Sequence, residues 1–247
     1  MDINVYQKRF YRDQFKKKEL EYFELVIKES DLFIGVSKAT VEIRELARER
    51  LFRLRQELED YIAENPVFEI TFKPIEIRTG APEVVRRMAQ AARQAEVGPM
   101  ASVAGCLAEM VGESLRRLST EVIIENGGDL YLASTKPRII GVFAGASKFS
   151  GRLSMEITPE EMPAGICTSS GTIGHSVSLG KADTCLVKSR SAALADAYAS
   201  TIGNMIKAKA DLPAALERAK SLPGLEGLLI IIENEMGLWG NIKLVRT

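Results

Sequence analysis

Between positions 39 and 65 apolar side chains recur every three or four residues: Val41, Ile43, Leu46, Ala47, Leu51, Leu54, Leu58 and Ile62. That spacing lines one stripe of an α-helix, with arginine and glutamate over the other face. Asn65-Pro66 stops it. Upstream, VYQKRFYRDQF alternates apolar and polar positions, and EYFELVIKESDLFIGVS adds a β-branched and aromatic run. Residues 5–37 therefore predict two or three antiparallel strands, with a turn at KKKEL. Residues 67–77 predict a strand broken at Pro74. Pro82 opens a second helix, PEVVRRMAQAARQAE, with proline at N1, and Gly98-Pro99 closes it. A third helical pattern covers about 100–118, with a face of Ala, Gly, Cys and Ser that invites close packing.

The second half is richer in strand signals. EVIIENGGDLYLAS reads as strand, Gly127-Gly128 turn and strand, since both glycines can adopt positive φ. RIIGVFAG, SGRLSMEIT and residues 166–168 follow as strands, and DTCLVK returns as a buried one. Ser189-Arg190-Ser191 offers an N-cap to an alanine-rich helix over 192–201. A helix near 213–220 and a closing pair, GLLIIIEN and GLWGNIKLV, complete the chain. Strands and helices do not alternate strictly, so the expected class is α+β, with mainly antiparallel sheets and flanking helices. The organisation expected is one domain over 1–247, with 1–97 and 98–247 as interlocked halves at most.

Composition narrows the functions. Lys+Arg and Asp+Glu are both 33 and aromatic residues are 6%. There is thus no basic field or stacking platform for nucleic acid. No apolar run approaches the ~18 residues of a membrane span, and the opening MDINVYQKRFYRDQFKKK has no apolar h-region. Cys106, Cys167 and Cys185 form no close pair, which suits free thiols in a reducing cytoplasm. Zero net charge and many apolar strands make a homodimer the expected assembly. The chain has one histidine, which rules out zinc sites built on two or three.

Chemistry concentrates in residues 165–204. Thr168, Ser169, Ser170, Gly171, Thr172 and Gly174 form a loop of small residues around His175. Backbone N–H groups of such a loop can approach an anion closely, and its hydroxyls add donors. GTIGHS lacks the lysine and spacing of a P-loop, and no G-x-G-x-x-G follows a strand. Asp196 and Ser200 stand at i and i+4, where a carboxylate and a hydroxyl can share a hard cation such as Mg²⁺. Gly127, Gly128 and Asp129 end an apolar strand with a carboxylate on a tight turn, which suits a ring or ribose edge. His175 is a candidate general base near neutral pH. Cys167, at the mouth of the loop, is either a working thiol or a small buried hydrophobe.

Residues 98–204 resemble the ApbE superfamily, and the chain as a whole looks most like its short, uncharacterised branch. The resemblance rests on Gly127-Gly128-Asp129 after Val122-Ile123-Ile124 and on Thr168 to His175, similar to the family's T-S-G followed by S-H. Its strongest element is Ser191-Ala192-Ala193-Leu194-Ala195-Asp196-Ala197-Tyr198-Ala199-Ser200, similar to S-A-x-x-A-D-A-x-A-T. It implies an ApbE-like fold, FAD or FMN as ligand, and a Mg²⁺ site at Asp196 with Ser200 or the adjacent Thr201. Characterised members attach FMN from FAD to a threonine or serine hydroxyl of a target protein. Where they carry A-K-G-x-x-x-D, this chain has Ala104 at the lysine and Glu109 at the aspartate. The D-P-x-T-G after the histidine is also missing. Three functions are therefore expected to compete: Mg²⁺-dependent binding of a flavin or related nucleotide with FMN-transferase-type chemistry, a binding module that has lost that chemistry, and a biosynthetic protein, for example in sulfur assimilation, that uses Cys167.

Overall fold

The computed structural model describes Arg12, residues 19–170 and residues 180–246. Among these the strands are β1 (Glu21–Ile27), β2 (Ser30–Val36), β3 (Val122–Asn126), β4 (Asp129–Ala133), β5 (Arg138–Gly141), β6 (Leu153–Ile157), β7 (Ala164–Ser169), β8 (Thr184–Ser189), β9 (Leu225–Ile232), β10 (Glu235–Gly240) and β11 (Lys243–Arg246). The helices are α1 (Val41–Glu64), α2 (Val67–Ile70), α3 (Glu83–Ala95), α4 (Val103–Leu115), α5 (Ala192–Met205) and α6 (Leu212–Lys220). Eight strands form one sheet in the order β1-β2-β3-β4-β7-β8-β9-β10, and β11-β6-β5 form a second. Every pairing is antiparallel. The chain is α+β, as its pattern predicts. Because β2 pairs with β3, the 1–97 and 98–247 portions share the main sheet.

Alternation along the central strands builds two cores. Tyr131, Cys167, Val187 and Ile230 point to the helical face, against Leu51, Leu54, Met88, Met110 and Tyr198. Leu132, Ile166, Leu186 and Ile231 point the other way, against Met155 and Ile157 of the small sheet. Lys188, two positions from Leu186, is buried on that second face. Its ammonium meets Glu161 and donates to the Asn241 carbonyl at 3.0 Å. Among the described residues no helix is long and apolar enough to cross a membrane.

Thr40 caps α1, its Oγ1 accepting from the Ile43 N–H at 3.3 Å. The helix buries Ile43, Ala47, Leu51, Leu54, Leu58 and Tyr61, but Val41 in its first turn is 71% exposed. The strand expected over 67–77 is absent. Pro66 already has α-region φ and ψ, so the chain takes one more helical turn at α2, which buries Phe68. Pro82 is the N-cap of α3 rather than its first residue. GLWGNIKLV divides between the two sheets. Gly240 has φ +75°, and a Cβ there would lie 2.4 Å from the Glu226 carbonyl, so the backbone turns where only glycine fits. Of the expected strand segment before residue 19 only Arg12 is described, and it is helical; the rest of that segment and most of the KKKEL turn lie outside the described residues.

Candidate functional site

The site begins with the approach of α4, α5 and β7. A Cβ at Gly105 would lie 2.3 Å from the Ala192 carbonyl oxygen, and one at Gly165 would lie 2.2 Å from the Ala192 Cα. The small residues seen in the sequence thus let two helices and a strand meet backbone to backbone. Ser191 caps α5, its Oγ accepting from the Leu194 N–H at 3.3 Å. One turn further, the Asp196 carboxylate accepts from the Gly105 N–H at 2.9 Å and so caps the first turn of α4 from a neighbouring helix.

Asp129 enters from the β3–β4 hairpin. Gly127 and Gly128 take φ +69° and +104°, so the two-residue turn forms as predicted. The turn is welded to β7: the Thr168 N–H donates to Asp129 Oδ1 at 3.2 Å, and Thr168 Oγ1 donates to the Gly128 carbonyl at 3.1 Å. Burial pushes the Asp196 pKa well above the ordinary carboxylate range, and the charge of Asp129 pushes it further. The backbone N–H groups of Gly105 and Ala104 offset this only in part. Asp129 and Asp196, from a hairpin and a helix far apart in sequence, therefore occupy one electrostatic site.

The neighbouring residues take defined roles. Cys167 is fully buried, and its thiol donates to the Ala192 carbonyl at 3.3 Å. Burial holds its pKa far above the usual thiol value, with Asp129 and Asp196 adding to the effect. Ser170 Oγ donates to the Asp183 carbonyl at 2.9 Å, while Ser169 and Gly180 both pack against Gly203. The Ser169 and Gly180 contacts hold the described residues on either side of 171–179 against Gly203 in the C-terminal half of α5. Gly171, Thr172, Gly174 and His175 lie outside the described residues. Ser200 is partly buried on the same helix as Asp196. The Thr201 hydroxyl lies 2.6 Å from the Ala95 carbonyl and 3.1 Å from that of Ala197, both acceptors.

Ala104 stands at the head of α4, where its carbonyl accepts from Asn126 Nδ2 at 3.1 Å. Glu109 is 8% exposed. It accepts from Ser191 Oγ at 2.8 Å and from the Ala193 N–H at 3.1 Å, and Arg87 lies 3.3 Å away. Burial raises its pKa, an effect that those donors oppose. A cavity of about 270 Å³ opens there, lined by Arg87, Gln90, Glu109, Ser191 and Leu194. It sits at the N-terminal end of α5, one turn before Asp196. Sequence reading missed Gly105 and Asn126 as partners of the site. The small-residue face of α4 and the asparagine immediately before Gly127-Gly128 were the available signals.

A flavin transferase ApbE from Vibrio cholerae superimposes with a TM-score of 0.59 at 12% identity, covering 93% of this chain and 97% of that one. The apo flavinyl transferase ApbE of Pseudomonas stutzeri gives 0.55 at 10% identity, covering 89% and 94%. These solved structures share the fold. In sequence, the UPF0280 protein of Methanocaldococcus jannaschii is 39% identical over 229 residues, 90% of this chain and 92% of that protein. The UPF0280 protein of Methanococcus vannielii is 39% identical over 235 residues, 93% and 94%. A family model matches residues 12–236, from the buried Arg12 to the last edge strand of the main sheet, and the chain belongs to the family it describes, AbpE bacteria.

Proposed function

We propose that the chain binds a flavin nucleotide, FAD or FMN, together with Mg²⁺, where Asp129, Asp196 and the start of the 168–176 loop meet. The observation that carries this reading is geometric: Asp196 on α5, held to the Gly105 N–H, and Asp129 on the β3–β4 turn, held to Thr168, converge beside β7, and the raised pKa of Asp196 follows from that placement. A divalent cation beside these two acids offsets both charges. The donor set fits Mg²⁺, which takes oxygen ligands and keeps several waters, so two carboxylates and the Ser200 hydroxyl suffice. Thr201 is directed to the Ala95 carbonyl, which leaves Ser200 as the hydroxyl of the pair. When bound, the cation would neutralise pyrophosphate charge. The exposed Gly127 tip offers backbone to a ring or ribose edge, and the Thr168 contacts hold it in place.

Two observations separate binding from FMN transfer. Ala104 puts a methyl group where the flavin transferases carry lysine, and Glu109 is committed to Ser191, Ala193 and Arg87. We infer that nucleotide binding is retained and that transfer to a protein hydroxyl is slow or lost. The reading through Cys167 draws no support, because a fully buried thiol with a raised pKa is a poor nucleophile. Thermal unfolding with FAD, FMN and ADP, each with and without Mg²⁺, tests the proposal. The expected result is a rise in Tm with flavin nucleotide that requires the metal. No rise with any of the three nucleotides plus Mg²⁺ would overturn it.

A further inference from the structure

We propose that Arg12 is a positioning residue for this cleft: through Glu125 it fixes the Gly127-Gly128 turn that presents Asp129. The guanidinium is 4% exposed. Its Nε donates to Glu125 Oε2 at 2.7 Å, with Nη2 2.6 Å from the same oxygen. Nη1 donates to Asp31 Oδ1 at 2.8 Å, and Nη2 to the Asp31 carbonyl at 2.9 Å. Glu24 lies 3.8 Å away, and the Phe33 ring centre 5.4 Å away. With Oε2 gripped from this side, Oε1 of Glu125 accepts the Gly128 N–H at 2.9 Å. Gly128 in turn passes its carbonyl to Thr168 Oγ1, and the next residue is Asp129.

A connected path of hydrogen bonds thus runs from residue 12 to the site. A planar fork that grips Glu125 and Asp31 at once sets the angle of the Glu125 carboxylate, which the single ammonium of lysine cannot do. A purely structural role for Arg12 predicts loss of stability spread over the fold. A positioning role predicts a local effect at the turn.

The experiment compares Arg12→Met and Arg12→Lys with the parent chain. Amide hydrogen exchange is read at Gly128 by NMR, with Gly227 and Gly237 of the far strands as controls. The ligand part of the inference rests on the flavin-binding reading, whereas the exchange measurement needs no ligand. In Arg12→Met we expect Gly128 exchange to accelerate roughly tenfold, the scale of one hydrogen bond, with the controls unchanged. Affinity for FAD with Mg²⁺ should fall by a similar factor, and Arg12→Lys should lie between. Should Arg12→Met not fold, Arg12→Lys decides by the same Gly128 measurement. Unchanged Gly128 protection in the folded variant, or equal acceleration at Gly227 and Gly237, overturns the proposal. A parent that binds no flavin but shows the local Gly128 effect refutes the function and keeps the positioning role.

Discussion

Glu121 is buried and Asp196 partly buried, and the surroundings of these two carboxylates drive them in opposite directions. Burial alone would raise the pKa of Glu121. Yet it accepts from the Ser134 and Thr135 hydroxyls and from the Thr135 N–H, and it pairs with Arg138, so its pKa falls to about 2. At Asp196 burial also raises the pKa, but the nearby charge is that of Asp129, and backbone N–H groups offset it only in part. The chain has completed the first site with its own arginine and hydroxyls. It has placed the second acid where an added cation improves the electrostatics. Buried acids are therefore told apart by the sign of their neighbours, not by burial.

The largest effect should come from breaking the completed site. Glu121→Gln removes the buried partner of Arg138 and leaves it only the more exposed Glu19 at 4.0 Å, a loss of about 3 kcal/mol in urea unfolding at neutral pH. The folded pKa is depressed, so Glu121 contributes stability above its unfolded value of about 4.3, and that contribution is lost as pH falls toward about 2. The variant should lose this part of the acid limb. An unchanged midpoint and acid limb would show that the cluster is idle.

Gly105→Ala attacks the other region. The new Cβ would sit 2.3 Å from the Ala192 carbonyl and 2.9 Å from the Asp196 Cβ, so α4 must shift away. We expect about 1–3 kcal/mol of destabilisation and loss of any Mg²⁺-dependent stabilisation. The low-pH behaviour of Glu121 should stay as in the parent. If Mg²⁺ still stabilises this variant fully, Asp196 does not need the α4 contact.

Much of the fold was legible, because α1, the Gly127-Gly128 hairpin and the cap at Ser191 each depend on local pattern or turn chemistry. The misreadings sit where longer-range contacts decide. Residues 67–77 have strand-like composition, but Pro66 and the burial of Phe68 favour a helical turn. GLWGNIKLV reads as one strand until the Glu226 backbone demands a bend at Gly240. At the site, Asp196 and Ser200 could be singled out from helical spacing. That Asp196 faces Asp129 and caps α4 could not, since it depends on how hairpin and helices meet across the sheet. Arg12 gave no local signal, because its partners Asp31 and Glu125 are distant in sequence.

A smaller effect sharpens the comparison further. Asp196→Asn keeps an oxygen to accept the Gly105 N–H and removes a charge next to Asp129. The folded pKa of Asp196 is raised, so the native state holds its proton more tightly, and stability falls as pH rises from the unfolded value of about 3.9 toward the raised one. Without metal, the asparagine variant should match or exceed the parent at neutral pH, by about 1 kcal/mol, and the gap should close below about pH 3.9. Asp196→Ala, which removes the same charge but also the acceptor of the Gly105 N–H, should fall about 1 kcal/mol below the asparagine variant. An asparagine variant clearly less stable than the parent at neutral pH would contradict the charge argument.

The central claim is that Asp196 serves a cation and a flavin nucleotide, and its most direct test is the Tm of parent and Asp196→Asn with FAD, with and without Mg²⁺. At a ligand excess of about 100-fold over Kd, binding adds about 2.7 kcal/mol, or roughly 5–10 °C for a chain of this size. The account predicts that rise for the parent only when Mg²⁺ is present, and none for Asp196→Asn. Equal Mg²⁺-dependent stabilisation of both proteins by FAD would contradict it.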